Sequence, residues 1–267
     1  MLWQEVRLDL GQKPSDDCVI NWAHPATLGL VACYVFNEKG GSPRDLTKTM
    51  PPLSAVGSPD WAQGLKGAGS TTLSTTNYWD TGANNTGLLP LSAPFAAICY
   101  ASNYTNGSQS GAIGIGGSTA GGGWALLSLQ NSGQMGITTW GAADIQGGLT
   151  APTWGGIGVS FSAVNGTGVF GVNGQVNAKS VSGPSAATNP RFVLGTGYRA
   201  GALAGTGVTL TFAAVFNLHK IPSIMSLLTQ NPGCILLDQT ARKRYFGAVI
   251  SAPPATGNPW NYYAQAA

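Results

Sequence analysis

The pattern of apolar and polar positions divides the chain into many short strands. An apolar run over 28–36 closes on Asn37, Glu38, Lys39, Gly40 and Gly41, whose polar side chains and paired glycines supply a turn. Residues 40–94 are rich in Ser, Thr, Gly, Pro and Asn, and the pattern there predicts loops with two short strands at 65–73 and 77–81. From Phe95 onward the signal strengthens. Strands are predicted at 95–101, at 111–116 where Ile113 and Ile115 alternate with glycine, and at 124–129, 136–140, 154–161, 169–174, 192–195 and 208–216. Short turns separate them, the spacing of a sandwich or jelly roll. Glycines inside the strands cost backbone entropy and let a neighbouring layer approach closely, so the fold needs extensive burial to compensate. One helix is predicted over 220–228. Pro222 suits its first turn, Ile221, Ile224, Met225 and Leu228 share a face, and Asn231, Pro232 and Gly233 end it.

The two ends lack a sustained period of either kind. Residues 1–24 mix charges with Pro14, and residues 246–267 return to Pro, Gly and Asn. The chain therefore divides into an N-terminal arm at 1–24, a β domain at 25–245 and a C-terminal arm at 246–267. Leu2, Trp3, Val6, Leu8 and Leu10 in the first arm and Trp260, Tyr262 and Tyr263 in the second are apolar anchors. They are expected to contact other subunits, because laying them on a partner removes apolar surface from water and large aromatics are enriched at such contacts.

Charge narrows the function classes. Only 9% of the 267 residues are Asp, Glu, Lys or Arg, against ~25% in an ordinary domain. A net charge of +3, with one dense basic cluster at Arg242, Lys243 and Arg244, makes no nucleic-acid footprint. No apolar run approaches the ~18–20 residues that cross a bilayer, and the N-terminus shows no secretory pattern. Cys18, Cys33, Cys99 and Cys234 are far apart without a CxxC spacing, so they are expected as free thiols, with Cys33 and Cys99 buried in their strands.

Three stretches resemble the concanavalin-A-like, laminin-G-like jelly-roll proteins, particularly the forms found among structural proteins of tailed bacteriophages. The first runs from His24 and Pro25 through the 28–36 strand to Gly40, Gly41, Arg44, Asp45 and Leu46. The second is the 154–161 strand followed by 168–174, which ends in an Asn173-Gly174 turn, itself a hairpin signal. The third joins the 209–216 strand to the helix and to Asn231-Pro232. Together they span 24–237. The resemblance implies an all-β jelly-roll sandwich of two antiparallel sheets, one short C-terminal helix and extended arms. It further implies a non-enzymatic structural component of a bacteriophage virion, made in the host cytoplasm. Such a component decorates the capsid or belongs to a fibre or tail, with major capsid or tail proteins and copies of itself as partners. The alternative is a lectin-like module that attaches to a host-surface glycan.

Catalytic chemistry finds little material. Members of this fold that hydrolyse glycans use two close carboxylates, and here the glutamates are Glu5 and Glu38, while Asp80 and Asp144 are the acids between Lys66 and Lys179. Each aspartate reads as a turn carboxylate bonding nearby backbone amides. A nucleophilic Ser or Cys would need His24 or His219 as base, and both read as structural hydrogen-bonding groups. The glycines of 111–123 lack the Gly-Lys-Ser/Thr ending of a phosphate loop, and the calcium that laminin-G-like domains often hold would lack acidic ligands. No cofactor or metal is therefore expected. Among the tryptophans, Trp124, Trp140 and Trp154 flank apolar strands and read as core, whereas Trp61 and Trp79 lie in polar stretches and are the candidates for stacking on a glycan.

Overall fold

The computed structural model describes residues 18–38, 40–63, 69–74, 76–104, 110–116, 123–128, 133–139, 145–163, 165–182, 190–195 and 208–238. In chain order the strands are β1 (Cys18–Ile20), β2 (Leu30–Tyr34), β3 (Ser54–Val56), β4 (Asp60–Gln63), β5 (Gly69–Leu73), β6 (Tyr78–Asp80), β7 (Phe95–Ser102), β8 (Ser110–Gly116), β9 (Gly123–Ser128), β10 (Gln134–Thr139), β11 (Ile145–Thr150), β12 (Trp154–Phe161), β13 (Asn165–Val172), β14 (Gln175–Ser182), β15 (Arg191–Leu194), β16 (Val208–Phe216) and β17 (Leu236–Asp238). The helix α1 (Pro222–Gln230) lies between β16 and β17. Two antiparallel sheets form the body. One is ordered β11-β10-β9-β8-β15-β6-β3, the other β14-β13-β12-β7-β16-β5-β4, and β2 pairs with β16 beyond the end of β5. This is the all-β sandwich expected from the short-strand pattern.

Alternate residues of the central strands feed two different cores. In β12, Ile157, Val159 and Phe161 join the cluster between the sheets, together with Phe95, Ala97 and Cys99 of β7 and Val208, Leu210 and Val215 of β16. The opposite phase, Ala96 and Ile98 of β7 with Phe212, Ala214 and Phe216 of β16, joins a second cluster with Met225 and Leu228 of α1. Burial on both faces explains why β7 and β16 read as nearly unbroken apolar runs. Phe95 and Trp124 stack at 4.5 Å between centroids, tying the two sheets.

Two glycines allow the helix to lie on its sheet. A Cβ at Gly156 would stand 2.0 Å from the Thr229 carbonyl oxygen, and one at Gly158 would stand 2.5 Å from Ile98 Cγ2 and 2.8 Å from the Met225 sulfur. Pro222 opens the helix at its first position, which is tolerant of a missing N–H. The helix starts two residues later than its sequence pattern predicts. Ile221 is consequently its N-cap and is exposed instead of sharing the buried face.

Several strands were not legible. Cys18–Ile20, within the segment assigned to the N-terminal arm, pairs antiparallel with Leu236–Asp238, and both belong to the second cluster through Cys18, Ile20 and Leu236. The β3, β4, β11 and β14 strands lie in stretches read as loops or turns. The edge strand β14 alternates mostly exposed and half-buried residues, and β11 buries only Gly147 fully, so neither has an apolar phase to reveal it. The predicted Asn173-Gly174 hairpin is present between β13 and β14, with both residues at positive φ, +47° and +87°. None of Cys18, Cys33, Cys99 and Cys234 is in a disulfide, and Cys33 and Cys99 are buried. Leu2, Trp3, Val6, Leu8, Leu10, Trp260, Tyr262 and Tyr263 lie outside the described residues, as do Trp140 and Asp144.

Candidate functional site

Among the described residues, Asp80, Asp45, His24 and His219 are committed to structure. Asp80 is buried, forms an ion pair with Arg191 at 2.7 Å and accepts the Gly82 N–H through its other oxygen. The backbone contact is the turn bond its sequence suggests; the arginine, 111 residues away in sequence, is not visible from pattern. Asp45, within the first family-like stretch, accepts five hydrogen bonds. They come from the N–H groups of Cys33, Thr47, Thr49 and Met50 and from the Thr47 hydroxyl. That carboxylate pins its loop to β2 and has no capacity left for a substrate.

The two histidines divide in the same way. His24 Nδ1 accepts the Ala26 N–H and caps a short turn. His219 Nδ1 lies 2.8 Å from Ser160 Oγ, a pairing with the look of a nucleophile and base. Ser160, however, is 0% exposed, and its oxygen already accepts the Lys220 N–H at 2.6 Å. A substrate carbonyl has no route to it. Burial lowers the His219 pKa below the usual imidazole value. Lys220 itself is buried: its Nζ donates to the Ala26 and Leu28 carbonyls and lies 4.2 Å from the Phe216 ring centroid. Desolvation brings its pKa down to about 8. No group of three His, Cys, Asp or Glu among the described residues could hold a metal ion.

The aromatic candidates exchange places. Trp79 is a residue of β6 and only 4% exposed, and Trp61, on β4, is half-buried with its ring 6.2 Å from that of Trp79. Trp61 Nε1 donates to the Gly41 carbonyl at 3.2 Å. Both therefore pack against the inter-sheet core instead of standing in polar loops, and Trp79 offers no open face to a glycan. Trp124 is buried as expected, but Trp154, also read as core, is 52% exposed. The reason lies in its phase. Trp154 shares the side of β12 that carries Gly156, Gly158 and Ser160, opposite to Ile157, Val159 and Phe161, and it stands one residue pair beyond the point where Thr229 of α1 covers Gly156. The period-2 alternation of β12 holds that signal in the sequence; its length as an apolar run conceals it.

Around Trp154 the backbone brings together polar, uncharged residues. Trp154 is the cross-strand partner of Ser102, and the Asn103 N–H donates to the Thr153 carbonyl at 2.8 Å. From the neighbouring hairpin, Asn173 Oδ1 accepts the Gly156 N–H at 2.8 Å while its Nδ2 donates to the Trp154 carbonyl at 3.5 Å. Gly155, at φ +129°, leaves room for this amide: a Cβ there would sit 1.9 Å from Asn173 Oδ1. Gln230, at the end of α1, packs beside Gly174. Asn103, Thr153, Asn173, Gln175 and Gln230 are exposed. A second exposed indole, Trp22 at 61%, precedes the 26–28 segment whose carbonyls Lys220 holds; Leu28, Leu218 and Ile221 are exposed as well.

No family model and no curated protein sequence matches the chain. Solved structures do. Domain 4 of AbnA, a GH43 extracellular arabinanase from Geobacillus stearothermophilus, in complex with arabinotriose, is 17% identical over 75% of this chain and 98% of that domain, with a TM-score of 0.59. Trypanosoma rangeli sialidase in complex with sialic acid is 16% identical over 77% of this chain and 33% of its own, with a TM-score of 0.54. The chain thus matches nearly the whole of the arabinanase domain but one third of the sialidase. At these identities the likeness establishes the fold alone: the chain is a jelly-roll β-sandwich.

Proposed function

We propose that this chain is a carbohydrate-binding module that holds its ligand without cleaving it. The observation that carries the reading is Trp154, a large indole left half-open at the end of a strand whose backbone is paired with Ser102 and held by the Asn173 amide. An exposed aromatic face offers apolar contact to the C–H side of a sugar ring, and a few fixed polar groups orient its hydroxyls. The likeness to an arabinanase domain bound to arabinotriose supports the same reading, as the alternative drawn from the sequence. The absence of turnover is part of the proposal, because Asp45 and Asp80 are engaged by their own partners and Ser160 is sealed.

A bacteriophage setting and virion partners rest on the sequence resemblance; the likenesses to solved structures do not bear on them. Attachment to a host-surface glycan would unite that setting with sugar binding. The test is a broad oligosaccharide array probed with the full chain, followed by an assay for released reducing ends. Retention of at least one glycan class with no release is the expected result. An array without a bound glycan, or release of new reducing ends, overturns the reading.

A further inference from the structure

We infer that the Trp154 surface selects uncharged oligosaccharides and discriminates against sialylated, uronate or sulfated ones. The inference rests on the carbohydrate-binding reading and adds the class of ligand. The residues that backbone pairing and hydrogen bonds bring to this strand end, Ser102, Asn103, Thr153 and Asn173, are neutral, as are Gln230 beside Gly174 and Gln175, which follows that glycine. Along the adjacent strand, the cation Lys179 stands opposite Gly168, four residues beyond Gln175. Its Nζ is already engaged by the Gln146 carbonyl and lies 5.4 Å from the Phe170 ring centroid.

A carboxylate or sulfate drawn against an indole and a set of amides gives up water, and recovers it only where a guanidinium or ammonium replaces the lost hydration. Amides can each donate to and accept from hydroxyls, so an uncharged sugar exchanges hydrogen bonds with water at little cost. Asn173 is a positioning residue in this arrangement. Its oxygen and nitrogen hold the backbone on both sides of Gly155, which fixes the strand end from which the indole projects and limits the ordering required on binding.

The experiment uses the full chain and matched pairs of immobilised and soluble oligosaccharides: lactose and 3′-sialyllactose, arabinotriose, cellotetraose, and a tri-galacturonate as the acidic counterpart. Affinities are measured in low and high salt for the wild type, Trp154→Ala and Trp154→Phe, with thermal melts to confirm that each variant is folded. The inference predicts that the neutral member is bound at least tenfold more tightly than its acidic counterpart. Its affinity should change less than twofold with salt, since no ion pair is screened. Trp154→Ala should weaken it tenfold or more, and Trp154→Phe should retain most of it. Tighter, salt-sensitive binding of the acidic members that depends on Trp154 would overturn the inference and leave the carbohydrate-binding reading standing. Neutral binding indifferent to Trp154→Ala would also overturn it, by placing the ligand elsewhere. Failure to bind any member of this panel or of the broad array would remove the underlying reading and this inference with it.

Discussion

Lys220 is a buried ammonium held by two backbone carbonyls and an aromatic face. Its pKa of about 8 in the folded chain, against 10.5 ordinarily, gives a definite sign. Between about pH 8 and 10.5 the unfolded chain keeps the proton that the folded chain has released, so stability attributable to this group rises with pH across that window, by at most about 1.4 kcal/mol per pH unit. Buried Cys33 and Cys99 act in the opposite direction, because desolvation raises their pKa values, that of Cys99 to about 12, and the unfolded thiols ionise first. Comparison with Lys220→Met separates the two. Urea denaturation at pH 7.5, 9 and 10 should show the wild type gaining stability relative to the variant as pH rises, and a difference independent of pH would contradict the assignment. At this scale legibility depended on phase. Trp154 is exposed because its parity along β12 is that of Gly156 and Gly158, which the sequence does contain, whereas the Asp80–Arg191 pair joins strands that no local pattern connects.

At the scale of elements, α1 and β12 are complementary surfaces. The helix lies against β12 where Gly156 and Gly158 leave no side chain, and its end determines which part of the strand stays open for Trp154. The two glycines differ in what a methyl group would meet. At Gly156 the obstacle is the Thr229 backbone carbonyl, which moves only with the helix, while at Gly158 it is side chain alone, the Ile98 Cγ2 methyl and the Met225 thioether, of which the thioether can reorient. Gly156→Ala is therefore expected to cost more than Gly158→Ala, within the ~1–3 kcal/mol typical of overpacking. The two denaturation midpoints measure the difference, and the reverse order would show that the helix end is not held where Thr229 places it. The central strands and the helix were readable because their apolar positions are dense. The edge strands β11 and β14 were not, since their residues alternate between water and partial cover.

At the scale of the whole molecule, the division of alternate residues between two cores explains the low charge of the chain's middle. With β7, β12 and β16 covered on both faces, few positions are left where a charged side chain would remain in water. What stands out on the described surface is then an exposed indole at each of two places, Trp22 and Trp154. The central proposal assigns sugar recognition to the second. Its most direct test follows the indole N–H resonances of the eight tryptophans while the full chain is titrated with a neutral oligosaccharide retained on the array. The account predicts that the Trp154 resonance, assigned by its loss in Trp154→Phe, shifts with a saturable dependence on ligand while those of buried Trp79 and Trp124 remain in place. A titration that moves the Trp22 resonance and leaves Trp154 unchanged would contradict it.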